Sequence, residues 1–211
     1  PCTAKKMEAA RPQFQHEGKP DVDLVLTTQE IINMIKESGI QLPQLDLEAP
    51  DLPFGLGSGA GTIYGTTGGV AAAVVRHCMP DKSRNTLRAL EYSPLRGNES
   101  IREATIPVGD REIKLAVVHG LINAQKLLKE IDEGTAYYDL IEVMTCPNGC
   151  VGGAGQPYGL KAKKQARSAG LYATDRSAPF KRAEYNPGVT SILQKLTHEQ
   201  RHELLHVSYQ K

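Results

Sequence analysis

Cys146 and Cys150 are separated by Pro147-Asn148-Gly149 and followed by a glycine-rich run, Val151-Gly-Gly-Ala-Gly-Gln-Pro157. Two thiolates at this spacing can hold one metal centre if the backbone between them turns tightly. Gly149, Gly152 and Gly153 supply conformations that a side chain would forbid. Glycine-rich loops also bring backbone N–H groups against an anionic cluster, where they can donate to its sulfurs. Structural zinc tolerates the same spacing, so the pair alone leaves two metals open. The other cysteines, Cys2 and Cys78, are distant in sequence, and four in 211 residues are too sparse for a disulfide framework. Cys78 reads as a small buried hydrophobe.

Three further patterns carry possible chemistry. His202-Glu203-Leu204-Leu205-His206 matches the zinc-protease pattern H-E-x-x-H, and His198 would share the helix face. No third ligand is evident, and a helix with hydrogen-bonded histidines explains the same residues. Gly55-Leu-Gly57-Ser-Gly59-Ala60 resembles a dinucleotide fingerprint but follows a Pro-rich acidic stretch, not a strand. Lys161, Lys163, Lys164 and Arg167 form a basic run that reads either as a solvated helix face or as a docking patch for an acidic electron carrier.

Alternating elements must position these residues. Val22 to Leu26 reads as a short strand, and Thr27-Thr28-Gln29-Glu30 as a capping box opening a helix that carries Ile31, Ile32 and Ile35 and ends near Gly39. Residues 41–54 read as a loop. A glycine-dense stretch from Gly55 to Gly69 leads into a helix from Val70 to His77. Ile101–Ile106 and Ile113–Val118 read as strands joined by a turn at Gly109-Asp110. The next helix carries Leu121, Ala124, Leu127, Leu128 and Ile131 on one face and stops at Gly134. Tyr138 to Met144 is a strand leading directly into the cysteine pair, and the remainder reads as mostly helical. The expected fold is α/β, a mainly parallel sheet with one hairpin, flanked by helices.

Composition sets bounds. A net charge of +1 gives no global field toward nucleic acid or anionic membranes, and 5% aromatics without Trp argue against a base-stacking platform. No apolar run is long enough to span a bilayer.

The motifs carry a closer resemblance. Pro1-Cys2-Thr3-Ala4-Lys5-Lys6-Met7-Glu8 resembles the second cysteine motif of the FeFe-hydrogenases, and Glu142 through Cys146 and Cys150 to Gly155-Gln156-Pro157 resembles the third. Gly59-Ala-Gly61-Thr-Ile-Tyr64-Gly65 with Thr67-Gly68-Gly69-Val70 is similar to the family's central glycine segment. Asp21 to Glu30 and the tail His202–His206 with Tyr209 fit as well, so the resemblance covers essentially the whole chain.

The resemblance implies a part of the two-lobed catalytic domain, residues 1–211 being its C-terminal portion without the first cysteine motif. The implied cofactor is the H-cluster, a 4Fe–4S cubane joined through a cysteine sulfur to a two-iron unit bearing CO, cyanide and a dithiolate. Cys2, Cys146 and Cys150 are the implied metal ligands, with Cys150 as the bridge. Lys5 is expected to donate to a cyanide, Glu8 to orient Lys5, Met144 to wall the two-iron unit, and Tyr64 to line the pocket where the family more often has Phe. The implied reaction is reversible formation of hydrogen from protons and electrons.

The expected partners are ferredoxin or another redox subunit, maturation proteins, and a companion segment or chain supplying the first motif, without which the polypeptide is expected to be incomplete for catalysis. Ala72 stands where the family usually has an acid, and Ala154 where glycine is frequent. A hydrogen sensor, an iron–sulfur assembly factor and a zinc hydrolase through His202 and His206 are the alternatives. The expected compartment is the cytoplasm, on resemblance alone, with the periplasm as the alternative.

Overall fold

Leu115 to Val118 is an unbroken apolar run inside a strand, the pattern of a strand covered on both faces. The computed structural model describes residues 1–49, 51–52, 55–79, 96 and 99–207. Tyr209 of the tail motif and Pro50, Pro53 and Phe54 of the expected loop lie outside them. The chain forms two units. One comprises Leu56–Gly152 and Gly159–Asn186, the other Pro1–Gly55, Gly153–Tyr158 and Pro187–Lys211.

The unit containing Leu56–Gly152 holds the sheet and the core. Strand β3 (Ile101–Val108) pairs antiparallel with β4 (Arg111–His119) through a turn in which Gly109 takes a φ of 62°. Strand β5 (Leu140–Met144) pairs parallel with β4, setting Met144 opposite His119. Alternate residues of β4 serve opposite faces. Leu115 and Val117 pack with Ile63, Ala71, Ala72 and Val75 from α3 (Gly59–Ile63) and α4 (Gly69–Cys78). Ala116 and Val118 pack on the other face with Ala124 and Leu127 of α5 (Leu121–Asp132). The expected α/β arrangement and its hairpin are both present.

Helix α6 (Lys161–Ser177) carries Asp175 into contact with Arg76 of α4. Two hydrogen bonds of 2.8 Å join guanidinium to carboxylate, and neither side chain is more than 1% exposed. Burial pushes the Asp175 carboxyl up, but the Arg76 hydrogen bonds and charge, with Lys181 and Arg96, outweigh burial and hold it below the usual carboxylate range.

In the other unit, α1 (Ala4–Ala9) precedes a small hairpin of β1 (Gln15–His16) and β2 (Lys19–Pro20). Helix α2 (Thr28–Glu37) opens with the expected capping box: the Glu30 N–H donates to Thr27 Oγ1 (3.2 Å), and the Thr27 N–H donates to Glu30 Oε2 (2.8 Å). Lys6 adds an ion pair to Glu30 at 3.0 Å. The Thr27 N–H, then Lys6 and the Thr27 hydroxyl, lower the Glu30 pKa to about 2. Helices α7 (Pro187–Leu193) and α8 (His198–Leu205) belong to the same unit, and α8 has its own capping box, Thr197 with Gln200.

Four expectations are corrected. Val22–Leu26 forms no strand; the Lys6 ammonium takes the Val25 carbonyl at 2.8 Å, where a ladder partner would have donated. Helix α5 buries a narrower stripe than its periodicity suggests. Ala124 and Leu127 reach the sheet, whereas Leu121 and Leu128 are exposed. Cys78 is exposed, because in the last turn of α4 Met79 takes the core position beside Val75. Helix α3 interrupts the glycine stretch, opened by Ser58, whose hydroxyl accepts from the Gly61 N–H at 3.2 Å.

Candidate metal centre

Strand β5 ends at Met144 and the chain turns at once. The Gly149 N–H donates to the Cys146 carbonyl at 3.0 Å, closing a turn over Pro147-Asn148. The turn needs left-handed backbone at two successive residues, Asn148 (φ 66°) and Gly149 (φ 83°). Asn tolerates that region and Gly enters it without steric cost. Gly149 is required for a second reason: a Cβ there would stand 2.7 Å from Thr67 N and 2.8 Å from the Thr66 carbonyl carbon. Cys146 and Cys150 emerge at the two ends of this turn, both half-buried.

The loop is tied to the central glycine segment by backbone bonds. The Thr67 N–H donates to the Asn148 carbonyl (3.2 Å), and the Val151 N–H donates to the Gly65 carbonyl (3.0 Å). From α6, Arg167 donates to the Val151 carbonyl at 3.1 Å.

Two buried charges fix that glycine segment in turn. The Gly68 N–H donates to Glu142 Oε1 (2.6 Å), and the Ala71 N–H donates to Glu142 Oε2 (2.7 Å). Gly68, the N-cap of α4, has no side chain to offer and a φ of 92°, so a glutamate from β5 caps the helix instead. On the other side Arg102 Nη2 donates to the Thr67 carbonyl at 3.0 Å. The peptide joining Thr67 to Gly68 is thus held by a carboxylate on its N–H and a guanidinium on its C=O. Burial lowers the Arg102 pKa, opposed by Tyr172, Glu142 and Glu99. Thr67 is 3% exposed, and its hydroxyl oxygen has no hydrogen-bond partner among the described residues.

Cys2 belongs to the other unit and is half-buried. Beside it, Lys5 and Glu8 form an ion pair across one turn of α1. In that unit the Gly155 N–H donates to the Pro1 carbonyl (2.8 Å), and the Gln29 N–H donates to the Gly155 carbonyl (3.0 Å). A Cβ on Gly155 would lie 2.8 Å from Thr27 Cγ2 and 2.9 Å from Pro1 O, so the glycine after the cysteine pair is packed against the start of the Pro1–Glu8 motif. Tyr64, at the end of α3, is 49% exposed, and Met144, closing β5, is half-buried.

Other patterns resolve differently. His198 and His202 lie on α8 and His206 just beyond it, all exposed, with the rings of His202 and His206 stacked at 4.8 Å. Among the described residues, no three His, Cys, Asp or Glu side chains stand together as ligands of one metal ion. Gly55 to Ala60 runs into the five-residue α3, with no strand among the described residues from Asp21 to Gly57. Lys161 and Lys163 are exposed on α6, and Lys164 and Arg167 are half-buried.

Thiols in a glycine turn are the donors iron–sulfur clusters take, and thiolates around a cubane bind different irons rather than one ion. Together with the partnerless Thr67 hydroxyl beside the turn, these residues fit such a group. Glu142, Arg102 and Thr67 carry geometry that motif spacing does not reveal. The available signal was a charge inside an apolar strand, as in Leu140-Ile-Glu-Val-Met144.

Comparison with known proteins agrees. The family model for the iron only hydrogenase large subunit, C-terminal domain, matches residues 1–154, and that for the iron hydrogenase small subunit matches residues 161–211. The chain is 40% identical to the NADP-reducing hydrogenase subunit HndD of Solidesulfovibrio fructosivorans, over 100% of this chain and 37% of that protein. It is 34% identical to cytosolic iron-sulfur assembly component 3 of Pongo abelii, over 99% of this chain and 46% of that protein. A solved structure of a variant of the FeFe-hydrogenase HydA1 from Chlamydomonas reinhardtii superposes with a TM-score of 0.75 at 33% identity, covering 99% of this chain and 61% of the other. The chain therefore spans less than two thirds of the length of these relatives. No helix among the described residues is long and apolar enough to cross a membrane. The matched motifs, the α/β fold and the cysteine turn agree, and the chain belongs to the iron-only hydrogenase family, residues 1–154 matching the C-terminal domain of its large subunit and residues 161–211 its small subunit.

Proposed function

We propose that this chain is the C-terminal part of an FeFe-hydrogenase catalytic domain, with Cys2, Cys146 and Cys150 as thiolate ligands of an H-cluster and Cys150 as the bridging ligand. The observation that carries the reading is the turn at Cys146–Cys150, built on Gly149 and anchored to the central glycine segment. The H-cluster, when bound, supplies the open iron site at which two protons and two electrons combine reversibly to hydrogen.

The chain's residues supply position and charge. Cys146 and Cys150 sit at the two ends of a turn closed by the Gly149 N–H on the Cys146 carbonyl and tied to the glycine segment through Asn148 and Val151, which sets their spacing in the polypeptide itself. Lys5 brings an ammonium with three donors, suited to an anionic cyanide, and Glu8 orients it across one helical turn. Met144 offers a soft thioether wall at the end of β5, and Tyr64 lines the pocket with an added hydroxyl. The fourth cubane cysteine and the proton relay would belong to a first motif, which these 211 residues do not contain. Electrons arrive from ferredoxin or another redox subunit, and maturation proteins install the two-iron unit. The proposed compartment is the cytoplasm.

A second reading is favoured by one finding: an iron–sulfur assembly component matches 99% of the chain. Lys5 argues for catalysis, because a protein without cyanide has no use for that donor. Infrared spectroscopy of the matured full-length protein separates the two. The hydrogenase reading expects bands from metal-bound CO and cyanide, abolished by Cys150→Ala and retained in His202→Ala. A formed cubane without those bands in the wild type would leave the assembly reading.

A further inference from the structure

In the unit containing Leu56–Gly152, the Thr67 backbone is held on every side while its side chain is left over. Its N–H is spent on the Asn148 carbonyl, its C=O on Arg102, and the next N–H on Glu142. Neighbouring Thr66 is buried too, but its hydroxyl donates to the Ile63 carbonyl at 2.9 Å. The Thr67 hydroxyl has no such outlet. Leaving a buried hydroxyl unsatisfied costs about 1–3 kcal/mol, and valine would fill the same space without that cost. Two buried charges are therefore committed to placing a group that, in the polypeptide alone, serves no purpose.

Its backbone neighbours place it beside the cysteine turn. Thr67 and Asn148 line one cleft of about 230 Å³ with Gln165, Ser168 and Tyr172, neither cysteine being part of its lining, and Asn148 lies two residues from each cysteine of the pair. The Gly149 backbone packs directly on the Thr67 amide, since even a Cβ there would stand 2.7 Å from Thr67 N. A threonine O–H is a donor that rotates to its acceptor, and cluster and cysteinyl sulfurs are acceptors whose hydrogen bonds help set the reduction potential. The Arg102 charge on the Thr67 carbonyl and the Glu142 charge on the following N–H hold the hydroxyl's backbone rigidly, as a second-layer donor requires.

We infer that Thr67 is a positioning residue whose hydroxyl donates a hydrogen bond to a sulfur of the cluster held by Cys146 and Cys150, raising its reduction potential. The inference rests on the cluster assignment made above.

The test is a potentiometric titration of the full-length protein carrying this chain, reconstituted with iron and sulfide only and read by electron paramagnetic resonance. Wild type, Thr67→Val, Thr67→Ser and Thr66→Val are compared. Thr67→Val is expected to assemble the cluster and to reduce about three- to tenfold less favourably at a fixed potential, a tenfold change being about 59 mV for one electron. Thr67→Ser restores the wild-type value and Thr66→Val leaves it unchanged. An unshifted potential in Thr67→Val, or an equal shift in Thr66→Val, overturns the inference while leaving the cluster assignment intact. Failure of the wild type to assemble any iron–sulfur cluster overturns the assignment itself. If Thr67→Val does not fold, Thr67→Ala replaces it, read for the same shift against Thr67→Ser.

Discussion

Replacing Glu142 by Gln removes one charge and alters almost no volume, so it isolates what that carboxylate does. The wild-type side chain is 6% exposed and accepts from two backbone N–H groups, Gly68 at 2.6 Å and Ala71 at 2.7 Å. Each is a charge-assisted bond of about 1.5–3 kcal/mol. A Gln amide has one oxygen for the two donors, so one bond is lost and an NH₂ group faces an N–H. The negative charge at the uncapped start of α4 disappears, a contribution of up to ~2 kcal/mol in partly buried geometries. Overlap between these effects brings the expected loss to about 3–5 kcal/mol, the range for removing one member of a buried charged pair. At roughly 2–4 °C per kcal/mol for a domain of this size, Tm should fall by about 6–20 °C. Differential scanning calorimetry with a urea titration measures both, and Glu112→Gln at the exposed start of β4 is the control, expected within about 0.5 kcal/mol of wild type. Amide exchange should quicken first at Gly68 and Ala71. A loss below about 1 kcal/mol would refute the claim that Glu142 anchors the glycine segment.

Other outcomes follow from the same geometry. Arg76→Met should cost about 3–5 kcal/mol in a urea titration by leaving the buried Asp175 carboxylate only the longer Arg96 contact at 3.3 Å, and adding Asp175→Leu should recover much of it, because burial then has no under-compensated carboxylate to penalise. Gly149→Ala should lower the iron and sulfide content of reconstituted protein, its methyl colliding with the Thr66–Thr67 backbone, while Asn148→Gly, which relieves a left-handed residue, keeps full loading. Glu30 titrates at about 2 instead of 4.5, so its contribution to α2 is complete above pH 4.5 and lost as pH falls toward 2. Amide exchange in α2, followed across that window, should accelerate on acidification in wild type, and Glu30→Gln should flatten the dependence.

The two halves of the site differ in how far the amino acids announced them. The cysteine turn was legible because its chemistry is local: Pro-Asn-Gly between thiols requires a tight reversal, and the reversal found uses positive φ at Asn148 and Gly149. The capping boxes at Thr27 and the hairpin turn at Gly109 were legible for the same reason. Val22–Leu26 was misread because short apolar runs do not state their partners, and here a lysine side chain took the place of a strand. The α5 stripe was overdrawn because periodicity gives a face but not how much sheet it meets. Ala72 is buried in the core between α4 and the sheet, where an acid would need a partner of its own, so the departure from the family pattern is compatible with packing.

The clamp around Thr67 was not legible at all, for a reason that bears on function. Glu142 lies 74 residues from Gly68, and Arg102 lies 35 from Thr67, so no window of local sequence contains both ends of either bond. A single buried ion would shift its pKa or destabilise the fold, yet two opposite charges on the two ends of one peptide let each offset the other's field. Such an arrangement is costly to assemble and gives little net stability over apolar packing. What it does confer is a fixed orientation for one peptide plane and for the threonine that carries it. The peptide plane just before it is hydrogen-bonded, through the Thr67 N–H, to the Asn148 carbonyl in the loop bearing Cys146 and Cys150. Rigidity next to the thiols, rather than stability, is the quantity this part of the chain is built to supply, and it is what a cluster whose potential depends on hydrogen bonds to its sulfurs requires.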